Sequence, residues 1–278
     1  MSTSKRSRST PLPPSPEAKK NRITNPTRFL ILSDTHNLPL PKNLPACDVL
    51  LHCGDLTEDG TPESLSQALS DLGSVNAELK LVIAGNHEIY LDSEYCTAEG
   101  GSAADIERAR SLISSDPSSL ASKNGITFLE EGTHAFTLRS GASFTLYASP
   151  FTPAFGASAF QYPTIEDRYN PTPATPSWAR NTGTEKSRIP DNVDIVMTHG
   201  PAQYILDTTL HHRPSCSAGA MLCPQPLPAT SWRAAGCPEP GLHAFVQRTR
   251  RPARVCQRSP QPAARVGRRI GPETMPCA

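Results

Sequence analysis

Four short apolar runs, at residues 28–33, 48–53, 79–84 and 193–198, constrain the fold most strongly. Each run is rich in Leu, Ile and Val and is followed at once by polar residues or glycine. Apolar runs of this length predict buried β-strands, because a buried helix needs roughly ten residues or more. The chain has room for one large α/β domain or two small ones around such strands.

Two helices are predicted between the strands, because apolar residues recur at helical spacing in 62–72 and in 103–114. Three further short strands, separated by turn residues, are predicted at 126–129, 135–138 and 143–148. Strands that first alternate with helices and then form a hairpin-like series indicate an α/β sandwich.

The segment 151–190 is rich in proline and shows little periodicity, so we expect it to be irregular. It carries five large aromatic side chains, Phe155, Phe160, Tyr162, Tyr169 and Trp178. We expect most of them to pack against the sheet, with a role in walling a substrate cleft as the alternative.

Charge is segregated along the chain. Residues 1–28 hold seven lysines and arginines against one acidic residue, and residues 213–278 hold ten arginines against two acidic residues. The middle part is therefore strongly acidic, which argues against a nucleic-acid groove, and no nucleic-acid partner is expected. The basic, Pro- and Ser-rich segment 1–27 is expected to be a disordered tail, with nuclear import as the alternative role.

The expected location of the protein is the cytoplasm. The sequence has no run of about 18 apolar residues, so no membrane segment is expected. It also shows no apolar leader near residue 1, so no secretory signal is predicted. In a reducing compartment, the eight cysteines would be free thiols.

The polar blocks that follow the four runs contain the residue types of a metal site. They are Asp34-Thr35-His36, Gly54-Asp55, Gly85-Asn86-His87-Glu88 and Thr198-His199-Gly200-Pro201. Because ligands of open α/β sheets bind outside the carboxyl ends of strands, these blocks are expected to meet in space. Each block alone is ordinary turn or cap chemistry, but the four in this order indicate one site.

The donor types favour two divalent ions. Carboxylate, imidazole and amide donors suit Mn, Fe, Zn or Mg. Asp55 has two carboxylate oxygens and can bridge two ions about 4 Å apart, and such a pair lowers the pKa of a coordinated water. Gly54 and Gly85 are expected to let the backbone turn sharply into the site.

The motifs SDTH, HCGD, GNHE and MTHGP, in this order, resemble those of the calcineurin-like metallophosphoesterase superfamily. The stretches SPFTPAF…AFQYP (149–163) and IPDNVDIVMTHGP (189–201) look like one branch of it, the metallophosphoesterase-domain proteins, which are described as small phosphodiesterases. The resemblance covers residues 28–212. It implies a four-layer α/β/β/α sandwich that is incomplete at the C-terminus.

The resemblance also implies roles for five ligands. Asp34 and His36 would bind a first metal ion, and Asp55 would bridge the two ions. Asn86 and His199 would bind the second ion.

His87 is the candidate catalytic residue. The resemblance places it beside the phosphate, where it would stabilise the transition state or protonate the leaving oxygen, and imidazole suits proton transfer near neutral pH. A hydrogen-bonded structural histidine is the alternative. Glu88 is expected to orient His87 or to face solvent. His52 is expected to be a core histidine, and His134 to lie at the surface.

A fifth motif of that family, Gly-His-x-His after the late strand, is absent from the sequence. Residues 241–245 resemble the strand that leads into it, but Gln247 and Arg248 follow. Residues 213–278 hold eleven prolines and ten alanines but no Lys, Asp, Asn or Tyr, as expected of a GC-rich coding region read out of frame. We therefore expect a frameshift or a misassigned intron between Ile205 and Met221, and a disordered tail over 213–278. A genuine basic extension that binds RNA or an acidic partner is the alternative.

Together these features predict metal-dependent hydrolysis of a phosphodiester or phosphomonoester by water activated between two metal ions. The expected substrate is a small phosphoester, with nucleotides among the candidates. The alternative is an incomplete homologue that binds metal or a partner without turnover, because the missing motif would remove one imidazole from each metal ion. Little activity and two unformed strands are expected for the same reason.

Overall fold

The structure is a computed structural model that describes residues 26–200 and the strand Phe245–Arg248. Most of the two predicted tails, 1–27 and 213–278, lies outside the described residues, so their predicted disorder and the predicted frameshift are not tested. Within the described part of the chain, no helix has both the length and the apolar composition to cross a membrane. Cys47, Cys53 and Cys96 are buried free thiols, as predicted, and the other five cysteines lie outside the described residues.

The first sheet has four parallel strands in the order β1-β2-β3-β4. They are β1 (Phe29–Leu32), β2 (Val49–His52), β3 (Leu79–Val82) and β4 (Ile126–Phe128). The helices between them are α1 (Pro62–Gly73), α2 (Ser93–Ala98), α3 (Ala103–Ile113) and α4 (Leu120–Lys123), with a short 3-10 helix at Ile89–Leu91. Helix α1 begins where the Thr61 side chain accepts a hydrogen bond from the Ser64 amide and where Pro62 occupies the first turn.

The second sheet has the order β12-β11-β6-β5 and mixes both strand directions. Its strands are β5 (Gly132–Thr137), β6 (Ser143–Ser149), β11 (Ile195–Thr198) and β12 (Phe245–Arg248). Strands β6 and β11 are parallel, and each has an antiparallel partner at the edge. Along the chain, between β6 and β11, lie the two-residue strands β7 (Thr152–Pro153), β8 (Gln161–Tyr162), β9 (Glu166–Asp167) and β10 (Arg180–Asn181), with a 3-10 helix at Thr172–Ala174.

The two sheets pack face to face around one apolar cluster. It includes Ile31, Val49, Leu51, Leu81, Ile83, Leu146, Ala148, Ile195 and Met197. Alternate residues of the first sheet, such as Leu50 and Val82, point the other way and pack on α1, α3 and α4. Because side chains of a strand alternate between faces, a sheet covered on both sides needs these nearly continuous apolar runs.

The outer face of the second sheet is covered by the irregular segment 151–190. Of the five aromatic residues that we predicted would mostly pack against the sheet, Tyr162 and Tyr169 are buried against Tyr147 and Val196. Phe155 and Trp178, in contrast, are 55% and 50% exposed. Whether they wall a substrate cleft stays a prediction.

The predicted α/β fold class is confirmed. The described residues form a helical layer and two sheets, and the irregular segment covers the outer face of the second sheet. We predicted that two strands of the sandwich would not form, but the structure contains one strand in this region. Strand β12 pairs with β11 from Thr198↔Phe245 to Ile195↔Arg248. It begins at Phe245, the last of the residues 241–245 that resemble the family's strand.

Lys80 is a buried cation in the middle of the first sheet. Its side chain is 6% exposed, and its Nζ donates to the carbonyl oxygens of Gly73 at 2.6 Å and Asn124 at 3.2 Å. These carbonyls belong to the C-terminal ends of α1 and α4, where the helix dipole favours positive charge. Burial lowers the pKa of Lys80.

Replacing Lys80 with methionine should therefore destabilise the fold. Methionine retains the apolar stem but leaves two helix-end carbonyls without their donor, and we expect a loss of about 1–3 kcal/mol in the free energy of unfolding. Urea denaturation followed by circular dichroism measures this change. The control is Lys186→Met, since Lys186 is exposed; equal stability of the two variants would show that the helix-end contacts are unimportant.

Candidate metal centre

The four polar blocks converge because the strands before them end at the same level. Leu32 pairs with His52, and His52 pairs with Val82, so β1, β2 and β3 end in one row. In the second sheet, Thr198 pairs with Ser149 at the ends of β11 and β6. The loops after these rows carry all six predicted site residues to one edge of the sandwich.

The loops after β1 and β2 interlock through backbone hydrogen bonds. The Asp34 amide donates to the Gly54 carbonyl at 3.0 Å, and the His36 amide donates to the Asp55 carbonyl at 3.1 Å. Asp34, His36 and Asp55 all have positive φ, at 53°, 44° and 52°. Side-chain-bearing residues rarely adopt this conformation, and strained backbone of this kind clusters at functional sites.

Two glycines make the close approach of the loops possible. A Cβ atom on Gly54, whose φ is 98°, would lie 2.7 Å from the Ala84 carbonyl oxygen and from His199 Nδ1. A Cβ atom on Gly85 would lie 2.2 Å from Asp55 Oδ1. The prediction of a sharp turn therefore applies to Gly54, whereas Gly85 is required because a carboxylate lies against its backbone.

Asp34, Asp55 and His199 form a buried cluster in which one ligand atom from each lies within 4.8 Å of the others. Burial raises the pKa of Asp34, and the Asp55 carboxylate adds to that rise. Burial opposes protonation of His199, but the carboxylates of Asp55 and Asp34 outweigh it and raise the pKa of His199. The negative charge of Asp55 contributes to both shifts, because it disfavours a second carboxylate and favours a protonated imidazole.

The three histidines of the site share one hydrogen-bonding pattern. Nδ1 of His199 donates to the Cys53 carbonyl at 2.9 Å, and Nδ1 of His87 donates to the Glu58 carbonyl at 2.6 Å. Nδ1 of His36 lies 3.2 Å from the Thr57 carbonyl oxygen. A carbonyl can only accept, so each Nδ1 carries a proton, and Nε2 is the ring nitrogen left to bind other groups. Histidines that bind metals are held in this way, by a hydrogen bond at the other ring nitrogen.

The Nε2 atom of His199 faces two side-chain oxygen atoms. Nε2 lies 2.9 Å from Asn86 Oδ1 and 3.3 Å from Asp55 Oδ1. Three acceptor atoms this close need either a proton on Nε2 or a cation among them. The donor set of oxygen and nitrogen atoms fits a divalent ion such as Mn, Fe, Zn or Mg.

A second group of potential ligands lies beside the first. His36, Asp55 and His87 each offer one ligand atom within 4.8 Å of the others, and the rings of His36 and His87 meet edge to face at 4.6 Å between centroids. The resemblance pairs Asp34 with His36, whereas the two groups in the structure place Asp34 with His199 and His36 with His87. Asp55 belongs to both groups, as a bridging carboxylate would. The metal-ligand assignments themselves stay a prediction.

Glu88 has a role in the site that the sequence did not predict. It is 1% exposed and lies beneath the loops. Its Oε2 accepts from the amides of Gly85 at 2.7 Å and Asp55 at 2.9 Å, and its Oε1 accepts from the amide and the hydroxyl of Thr57, both at 3.0 Å. Glu88 therefore neither orients His87 nor faces solvent. It joins the loops after β2 and β3, and its place in the GNHE motif was the only signal for it.

The remaining histidines of the described residues behave as predicted. His52 is fully buried in β2, its Nε2 lies 3.0 Å from the Thr35 hydroxyl, and burial lowers its pKa to about 3. It is a neutral core histidine beneath the first loop. His134 is partly exposed at the surface, and its Nε2 lies 3.0 Å from the Glu130 carbonyl oxygen.

Comparison with known proteins agrees with this geometry. The model of the calcineurin-like phosphoesterase family matches residues 27–219. The chain is 32% identical over 188 residues to human metallophosphoesterase domain-containing protein 1, a match that covers 65% of this chain and 50% of that protein, and the mouse protein of the same name matches equally. It is also 34% identical over 189 residues to probable rhamnogalacturonate lyase C of Emericella nidulans, covering 68% of this chain and 15% of that protein.

The chain thus spans half or less of the length of these curated relatives. The family match nevertheless includes every strand-end block that forms the site. The sequence motifs, the two packed sheets and the family match lead to one conclusion: the chain belongs to the calcineurin-like phosphoesterase family.

Proposed function

We propose that this chain hydrolyses small phosphoric esters with divalent cations held by Asp34, His36, Asp55, Asn86 and His199. The observation that carries the proposal is the set of three imidazoles tethered through Nδ1, two of which, His36 and His199, hold Nε2 at 3.8 Å and 3.3 Å from the buried Asp55 carboxylate. When bound, a pair of divalent ions lowers the pKa of water and neutralises charge on a phosphoryl group. The buried acidic cluster supplies the charge that such ions need.

Each protein group has a separate task in this proposal. Asp55 lies between the two groups of ligands and accepts a hydrogen bond from the His87 amide at 3.0 Å, which keeps its carboxylate in place. His87 is held at Nδ1 and would carry a proton on Nε2 to the leaving oxygen. The sheets and the apolar cluster between them keep these groups in fixed positions, as catalysis by positioning requires.

The proposed substrate is a small phosphoester, with nucleotides among the candidates, and the proposed location is the cytoplasm. The acidic charge of the central part argues against long nucleic acids as substrates. Two divalent ions per chain are proposed.

The test is hydrolysis of bis(p-nitrophenyl) phosphate and of p-nitrophenyl phosphate by the full chain with Mn²⁺. We expect metal-dependent release of p-nitrophenol that EDTA abolishes, at a kcat below about 1 s⁻¹, the low end of enzyme rates. The rate is expected to be low because the Gly-His-x-His motif is absent from the sequence.

The absence of that motif also favours a second candidate, a homologue that binds metal without turnover. Both candidates predict uptake of Mn²⁺, but only the first predicts release of p-nitrophenol above the EDTA control. Saturable metal uptake with no turnover on either ester would establish the second candidate.

His87→Asn should lower the rate of hydrolysis by about 100-fold or more, since asparagine cannot transfer the proton. The effect should be on kcat rather than KM, as expected of an interaction made in the transition state. Steady-state kinetics on bis(p-nitrophenyl) phosphate measure both constants. His134→Asn is the matched control, because His134 is partly exposed like His87 and belongs to neither group of potential ligands. A kcat for His87→Asn within about threefold of the control would exclude this role.

A further inference from the structure

A part of the irregular segment reaches the metal centre. Residues 158–160 lie along the loop after β3 and are fixed to it by four hydrogen bonds. Asn86 Nδ2 donates to the Ser158 hydroxyl at 3.0 Å, and that hydroxyl donates to the Asn86 carbonyl at 2.9 Å. The Ala159 amide donates to the same carbonyl at 3.3 Å, and the Phe160 amide donates to Asp92 Oδ2 at 2.8 Å.

This arrangement decides which end of the Asn86 amide faces the site. The Ser158 hydroxyl has one hydrogen, and the Asn86 carbonyl already accepts it. The side of Ser158 that faces the Asn86 side chain therefore offers only a lone pair, which demands the NH₂ group. With NH₂ held there, the amide oxygen must point at His199 Nε2, 2.9 Å away.

Without Ser158, none of these contacts would fix which end of the Asn86 amide faces the site. Turning the amide over would place its NH₂ group against His199 Nε2, which lies 3.3 Å from Asp55 Oδ1. That orientation would weaken metal binding, because an NH₂ group cannot coordinate a metal ion.

We propose that Ser158 is a positioning residue that holds the Asn86 amide oxygen toward the metal centre. The inference rests on the proposed metal-binding function. It gives part of the irregular segment a task beyond covering the sheet.

The test is isothermal titration of Mn²⁺ into the full-length chain and into Ser158→Ala. We expect the affinity of Ser158→Ala to fall by about tenfold, in the range seen for residues that support metal ligands. Ser158→Thr retains a hydroxyl and should stay within about threefold of wild type. Ser177→Ala changes an exposed serine of the same segment and should have no effect.

A double-mutant cycle with Asn86→Asp separates positioning from general damage. Aspartate presents an oxygen in either orientation, so adding Ser158→Ala to Asn86→Asp should change the Mn²⁺ affinity less than about twofold. The proposal would be overturned if Ser158→Ala lowered the Mn²⁺ affinity tenfold in both the wild-type and the Asn86→Asp chain. It would also be overturned if Ser158→Ala left the Mn²⁺ affinity of the wild-type chain unchanged.

A measurement on the metal-free protein keeps the inference distinct from the proposed function. NMR should show contacts from the Asn86 Nδ2 protons to Ser158 in the wild-type chain and to the His199 ring in Ser158→Ala. Failure of the wild-type chain to bind Mn²⁺ would refute the proposed function, whereas an unchanged amide orientation in Ser158→Ala would refute the role of Ser158.

Discussion

Replacing Asp55 with asparagine is expected to abolish tight metal binding by the chain. The Asp55 side chain is 3% exposed, with Oδ1 3.3 Å from His199 Nε2 and Oδ2 3.8 Å from His36 Nε2. It is the carboxylate common to both groups of potential ligands. Asparagine has almost the same shape, but it lacks the charge and offers one oxygen instead of two.

The expected loss in Mn²⁺ affinity is at least about 100-fold, above the range seen for residues that only support ligands. Hydrolysis should fall to the rate measured with EDTA. The metal-free variant should be as stable as wild type or more so, because asparagine removes one of the like charges crowded around Asp34 and Glu88.

Thermal unfolding with and without Mn²⁺ measures both effects. A ligand at 100 times its dissociation constant stabilises a fold by about 2.7 kcal/mol, so wild type should gain stability and Asp55→Asn should not. The matched control is Asp191→Asn, since Asp191 is exposed. An Asp55→Asn chain that is still stabilised by Mn²⁺ as much as the control would show that the metal binds elsewhere.

Glu88→Gln is expected to give the largest loss of stability. The Glu88 carboxylate accepts four hydrogen bonds, two at each oxygen, and donates none of them. Burial, with the charge of Asp55, raises the pKa of Glu88, but the four donors match the ionised form. In glutamine the NH₂ group faces donors at whichever end it lies, so at least one buried backbone amide loses its acceptor.

The expected cost is about 2–4 kcal/mol in the free energy of unfolding, the range for leaving buried polar groups unpaired. Chemical denaturation of the metal-free protein measures it. Glu107→Gln on helix α3 is the control, because Glu107 is exposed. A difference between the two variants below about 0.5 kcal/mol would mean that the loops hold their positions without Glu88.

Most of the fold follows from local patterns in the sequence. The four apolar runs predicted β1, β2, β3 and β11 to within about two residues at each end, the usual uncertainty of element boundaries. The helix predicted at 62–72 is α1, and the one predicted at 103–114 is α3. A strand that is buried on both faces of its sheet must be apolar along its whole length, and this pattern can be recognised without knowing which strands lie beside it.

The strand predicted at 135–138 shows where local patterns fail. The structure places β5 at Gly132–Thr137, paired with β6 from Gly132↔Ala148 to Thr137↔Ser143. Only part of this edge strand is buried, so its start depends on pairing with β6 rather than on its own composition. The sequence carries no local signal for that pairing.

The site was predictable in its members but not in its arrangement. Strand ends converge by a general rule, which placed the six predicted residues together. The burial of Glu88 was not predictable, because a glutamate after a strand is usually solvated, and only the meeting of two loops supplies its donors. The contact of Ser158 with Asn86 spans 72 positions and lies in a segment without periodicity.

The most direct test of the account is the number of Mn²⁺ ions that the full chain binds, read from the electron paramagnetic resonance signal of free Mn²⁺ during a titration. We expect a saturable loss of the free signal equivalent to two ions per wild-type chain and none for Asp55→Asn. Uptake of less than one ion per chain, or equal uptake by the two chains, would contradict a metal centre at the strand ends.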